Sequence, residues 1–123
     1  MLLQESGEMY LETILVLSQK STFVRAIDIG AEMGFSRPSV SRAVHLLSEG
    51  GFINIDLDGR ITLTDSGRGI AEKIYERHTV LSRWLTSLGV DPNIATEDAC
   101  KIEHDISDES FAAVKRHIDS LRH

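Results

Sequence analysis

A single cysteine, Cys100, stands in the 123 residues, so no intrachain disulfide can form, and such sparing cysteine use fits a reducing cytosol. No apolar run approaches the ~20 residues of a membrane span. The opening Met1-Leu2-Leu3-Gln4-Glu5 has neither the basic flank nor the apolar stretch of a signal peptide. The expectation is a cytoplasmic chain with no membrane partner. Positive charge is scarce as well: 13 Lys and Arg face 19 Asp and Glu, a formal net charge of −6, whereas phosphate contacts favour a basic surface. There is no internal repeat and no low-complexity segment. A nucleophile elbow, a phosphate loop and a zinc-protease motif are all absent, which leaves no catalytic residue to name and points away from a small-molecule substrate.

The scarce positive charge is unevenly spread. Residues 20–60 hold five basic groups (Lys20, Arg25, Arg37, Arg42, Arg60) against five acidic ones, while the remainder has eight basic and fourteen acidic. The acidic excess lies outside that segment, and a cation could neutralise part of it, Glu12 and Glu103. A chain of this length is one compact unit, or a small module with a helical appendage.

Hydrophobic spacing predicts a mostly α chain. Tyr10, Ile14 and Leu17 form one stripe of a helix over 4–18. A short helix over 26–33 stops at Gly34, which can take the left-handed turn conformation. Ser36 caps a third helix, with Pro38 in its first turn and Gly50-Gly51 at its end. Val40, Val44 and Leu47 form the inner stripe of that helix, and Pro38, Arg42, His45 and Glu49 the outer one. Phe52 to Leu57 alternates as a strand, Asp58-Gly59 supplies a two-residue turn and Arg60 to Thr64 returns, so this hairpin is a wing. From Thr64 a long helix runs to about Leu88, with Ile74, His78, Leu81, Leu85 and Leu88 on one stripe and His78 facing inward. Val90 to Asn93 connects to a helix over 94–105, and Ser107 caps a last helix to about Leu121. The fold class is therefore a winged helix-turn-helix (residues 1–64) followed by an all-helical region (65–123).

Cys100, Glu103 and His104 stand at i, i+3 and i+4, which aims three donors from one side of a helix. Met9 and Glu12 repeat the three-residue step near the start of the chain. Thiolate, carboxylate, imidazole and thioether are together a metal-ligand set, and a second helix must complete it. Singly each has a plainer explanation: Cys100 as a small buried apolar residue, His78 as a hydrogen-bonded core histidine, Met9 as packing and Glu12 as a solvated carboxylate.

These residues carry a resemblance. Glu8 to Ile14, the stretch Ser36-Arg37-Pro38-Ser39-Val40-Ser41, the hairpin into Leu63-Thr64, the pair Arg77-His78, and Ala99 to His104 followed by Ser107-Asp108-Glu109 make the chain resemble the diphtheria toxin repressor family of metal-dependent repressors, including its shorter manganese-regulator branch. The resemblance covers nearly the whole chain, and four separate segments agree in spacing. It implies a homodimer in which divalent metal organises the amino-terminal helix and sets two DNA-reading heads at operator spacing. By resemblance Met9, Cys100, Glu103 and His104 correspond to the primary site of the iron-responsive branch. Glu12 and His78 match positions that complete a neighbouring ion in the manganese branch, with Glu103 shared. Thr96 and Ser82 depart from the pattern, for they replace the histidine and glutamate of the iron branch's ancillary site. The small-barrel domain of longer members has no counterpart, so dimerisation and sensing are expected within these residues.

Soft thioether and thiolate donors suit iron(II), zinc(II), cobalt(II) or nickel(II) better than manganese(II), so iron(II) is favoured and manganese(II) comes second. The expected partner is double-stranded DNA carrying an inverted repeat. On the third helix, Arg42 can pair with guanine O6 and N7 and Pro38 can touch a thymine methyl. Arg25, Arg37, Ser39 and Ser41 suit phosphates, Ser36 is a further candidate DNA contact, and Arg60 at the wing tip suits the backbone or minor groove. The expected function is an iron(II)-responsive repressor of metal-homeostasis genes. The alternatives are a manganese-responsive repressor of the same fold and a winged-helix regulator that senses an oxidant or small molecule through Cys100, since a thiolate ligand is oxidisable.

Overall fold

The computed structural model describes residues 5–121, in the order α1 (Glu5–Lys20), α2 (Ala26–Met33), α3 (Arg37–Glu49), β1 (Ile53–Ile55), β2 (Ile61–Leu63), α4 (Asp65–Ser87), α5 (Pro92–Asp105) and α6 (Asp108–Ser120). The expected start of the first helix, residue 4, lies outside the described residues. Packing divides the chain into two compact units, residues 1–73 and 74–123, with the division inside α4. The boundary expected from the sequence, 64/65, is where α4 begins.

In the first unit, α1 supplies Tyr10, Leu11, Ile14 and Leu15 to an apolar core, and α3 adds Val40, Val44 and Leu47. Leu11 and Ile14 have no exposed surface, and burying side chains of that size stabilises by about 1.5–3 kcal/mol each. Burial also pushes the Tyr10 phenol above its ordinary pKa. The helix-turn-helix is fixed by local chemistry. Gly34 sits at φ 72° and its N–H donates to the Gly30 carbonyl at 2.8 Å, which closes α2 in the left-handed conformation. The Ser36 hydroxyl then accepts from the Ser39 N–H at 3.4 Å and begins α3. Ser36→Ala is expected to cost about 1 kcal/mol, read as a lower urea midpoint with an unchanged slope.

The wing is a two-stranded antiparallel hairpin with Ile53 opposite Leu63 and Ile55 opposite Ile61. Its turn differs from the two residues expected. Asp56 N–H donates to Arg60 O at 3.0 Å, so Leu57, Asp58 and Gly59 form a three-residue loop with Gly59 at φ 79°. The Asp56 carboxylate selects this turn by accepting from the Asp58 and Arg60 N–H groups, each at 2.9 Å. Leu57 is thereby turned out into full solvent exposure.

The second unit has a smaller core, built on Leu81, Ala99 and Phe111 with Val80, Trp84, Ile106 and Val114 packed around it. Leu88, expected on the buried stripe of α4, is 64% exposed. The helix has ended at Ser87, and Val90 N–H reaches back to Leu85 O at 3.1 Å across Gly89 at φ 98°. α5 begins two residues earlier than expected because Asp91 caps it, accepting from the N–H groups of Asn93 and Ile94, with Pro92 in the first helical position where no N–H is needed. Ser107 caps α6 through the Ser110 N–H at 3.1 Å, as the sequence suggested. No helix among the described residues is long and apolar enough to cross a membrane.

Candidate metal centre and nucleic-acid interface

α5 is held against α4 within the second unit, and its register decides which donors meet. Ala99 is fully buried in the unit's core, so the residues on either side of it along the helix, Ala95 and Glu103, also turn inward. Glu103 is thus a charged residue that is 1% exposed. Its Oε2 lies 2.9 Å from His78 Nδ1, and its Oε1 lies 3.3 Å from His104 Nε2. Cys100, one turn earlier, places Sγ 3.7 Å from the same His78 Nδ1. Burying a carboxylate is expensive unless hydrogen bonds or opposite charge compensate, and here two imidazoles flank it.

His78, Cys100 and Glu103 each offer a ligand atom, and all of these lie within 4.8 Å of one another. The donor types fit a divalent transition ion: imidazole and thiolate are its usual nitrogen and sulfur ligands, and the carboxylate supplies negative charge. Cys100 is exposed, and the His78 side chain is 24% exposed rather than fully inward, so solvent can reach the group from their side. His104 touches the second carboxylate oxygen with its side chain 1% exposed. Met9 and Glu12 are carried by α1 of the first unit, where both are half-buried.

On α3, Arg37, Pro38, Ser41 and Arg42 are exposed, and Ser39 is half-buried and accepts from the Ser36 hydroxyl at 3.0 Å. His45 and Glu49 on the outer stripe pair with each other at 2.9 Å. The two remaining arginines support the wing. Arg25 Nε donates to Asp58 O at 3.4 Å, and the Arg60 guanidinium stacks 3.8 Å from the centre of the Phe23 ring. Arg60 is accordingly packed at the base of the turn instead of extended at its tip.

Sequence reasoning assigned no role to Arg77, which the structure buries to 5% exposure. Its Nη1 donates to Glu103 O at 3.1 Å and to Ile106 O at 2.7 Å, and its Nη2 to the Asp108 carboxylate. The available signal was a cation directly before His78 in a long helix; the carbonyls it serves belong to a helix end far along the chain.

The first unit is thus a winged helix-turn-helix and the second a helical unit with a candidate metal centre. Residues 2–58 match the iron dependent repressor N-terminal DNA binding domain, and residues 64–123 match the iron dependent repressor metal binding and dimerisation domain. The transcriptional regulator MntR of Escherichia coli is 33% identical over 106 residues, 86% of this chain and 68% of the relative. The diphtheria toxin repressor of Corynebacterium diphtheriae is 32% identical over 108 residues, 87% of this chain and 48% of the relative. A solved structure of a manganese-dependent transcriptional repressor in complex with manganese superposes with a TM-score of 0.83 at 27% identity, covering 92% of this chain and 52% of that one. The chain spans about half the length of the last two proteins. It belongs to the iron-dependent repressor family, the metal-dependent transcriptional repressors that include MntR and the diphtheria toxin repressor.

Proposed function

We propose that this chain is a repressor of metal-homeostasis genes that binds an inverted-repeat operator as a homodimer when a divalent metal occupies His78, Cys100 and Glu103. The observation that carries it is the convergence of those three donors within 4.8 Å, in a chain whose other unit is a winged helix-turn-helix. Iron(II) is the favoured ion because the Cys100 thiolate is a soft donor, and manganese(II) comes second, supported by similar solved structures described as a manganese regulator and a manganese-dependent repressor. His104 joins the ligand set through its contact with Glu103. Met9 and Glu12 are proposed as ligands on the family resemblance alone. A bound divalent ion supplies positive charge to a buried carboxylate and an exposed thiolate. His78 and Glu103 hold each other in place beforehand, Cys100 leaves a solvent-facing way in, and none of the three is assigned a catalytic part.

The small core of the second unit fits this function. A helical segment of residues 74–123 with so few buried apolar side chains gains from a metal or a second copy, as small domains generally do. With two-fold symmetry the two α3 helices would meet half-sites about one helical turn apart, ~34 Å. Arg42→Ala is expected to cost about 1–3 kcal/mol at one base pair and to relax sequence choice there; equal losses on operator and random DNA would remove Arg42 from base reading. The deciding experiment is an anaerobic titration of metal-free protein with iron(II), manganese(II) and zinc(II), following binding to genomic DNA fragments. Metal-switched DNA binding is the expected result. DNA affinity that is the same without metal would sink the proposed function and favour a regulator that senses oxidant or a small molecule through Cys100.

A further inference from the structure

Arg77 and Glu103 are the buried charged residues among those described, and they are bonded to each other through the main chain. α5 ends at Asp105, and the last carbonyls of a helix have no partner within it. Ile106 N–H satisfies Ile102 O. The guanidinium of Arg77 takes Glu103 O and Ile106 O, and so caps the helix end with positive charge where the dipole is negative. Its Nη2 donates to the carboxylate of Asp108 in the first turn of α6, and its Cζ lies 5.6 Å from the centre of the Phe111 ring.

The next residue of α4 is His78, whose Nδ1 holds the Glu103 carboxylate at 2.9 Å. Consecutive residues therefore grip Glu103 at both ends: Arg77 its carbonyl, His78 its carboxylate. We propose that Arg77 is a positioning residue of the metal centre, fixing the last turn of α5 so that the donors of Glu103, Cys100 and His78 are already assembled when an ion arrives. Preorganisation of this kind raises affinity by removing ordering costs at the moment of binding, and hydrogen-bond partners of metal ligands commonly set affinity by about 10–100-fold. This inference rests on His78, Cys100 and Glu103 holding a divalent ion.

The test is anaerobic cobalt(II) titration, with a chelator in competition, of the wild type, Arg77→Gln, Arg77→Lys and Asp108→Asn. Each is followed by the thiolate-to-cobalt charge-transfer band and the d–d bands, beside thermal melts of the metal-free proteins. Folded Arg77→Gln should bind cobalt about 10-fold or more weakly with altered d–d bands. Arg77→Lys should recover part of the affinity, since an ammonium keeps the charge but not the planar fork. A merely structural Arg77 would lower the melting temperature and leave the cobalt affinity and spectrum as in the wild type; that result overturns the proposal. Should Arg77→Gln fail to fold, Arg77→Lys and Asp108→Asn decide: weaker cobalt binding in both supports it, and wild-type affinity in both ends it. A wild type that binds no cobalt, or binds it without a thiolate band, overturns the metal centre itself and the inference with it.

Discussion

Glu103→Gln should weaken divalent-metal affinity by at least about 100-fold, because loss of a partner one step removed from an ion already costs up to that much and Glu103 offers the donor atom itself. In free energy this is about 2.8 kcal/mol or more, at about 1.4 kcal/mol per tenfold. The amide has nearly the carboxylate's shape, and Glu103 is 1% exposed, so the site keeps its packing while it loses the negative charge. His78 retains a hydrogen-bonding partner of the same reach as the present contact at 2.9 Å, and the amide stands where the carboxylate now lies, 3.3 Å from His104 Nε2. Removing one partner of a buried pair can itself cost stability, so the metal-free protein is melted alongside, and the metal affinity is read on the folded variant. The effect should therefore fall on cobalt(II) or iron(II) affinity and, through it, on metal-stimulated DNA binding. A folded Glu103→Gln protein with wild-type metal affinity would take Glu103 out of the ligand set.

The same residue shows what the sequence made legible. Helical spacing alone put Cys100, Glu103 and His104 on one side of α5, and the family resemblance added His78 from α4; His78, Cys100 and Glu103 converge within 4.8 Å, while His104 lies beside the second Glu103 oxygen. Local signals with one physical meaning were read correctly: Ser36 and Ser107 as caps, and Gly34 as the left-handed stop of α2. Errors came where two local chemistries competed. Asp58-Gly59 is a strong two-residue turn signal, yet the Asp56 carboxylate captures two N–H groups and widens the loop by one residue. Asp91-Pro92 reads equally as a connection and as a cap followed by a first helical position, and the fold uses it as the latter. Arg77 was illegible for a different reason. Its partners, Glu103 O and Ile106 O, are main-chain groups whose availability depends on where α5 ends, and no periodicity of side chains encodes that.

Two glycines in the first turns of α4 should respond to the same substitution with opposite sign. At Gly67 a Cβ would stand 2.0 Å from the Phe52 carbonyl oxygen and 2.9 Å from the Phe52 carbonyl carbon. That carbonyl has little freedom to retreat, since it accepts the Thr64 N–H at 3.1 Å, and the Thr64 hydroxyl is tied to Gly51 O at 2.7 Å while accepting the Gly67 N–H at 3.1 Å. Phe52 itself is anchored in the core of the first unit. Gly67→Ala must therefore move main chain where the wing joins α4, an overpacking cost of about 3 kcal/mol, which lowers the melting temperature by roughly 10 °C or more. At Gly69 nothing lies within 4 Å of the added Cβ. Gly69→Ala should instead stabilise by about 0.5–1 kcal/mol, because alanine loses less backbone freedom in a helix. Thermal melts of the two variants test the pair. A Gly67→Ala protein that melts with the wild type would mean that the wing does not pack against α4 at this distance, and with that would go the close coupling of wing geometry to the long helix.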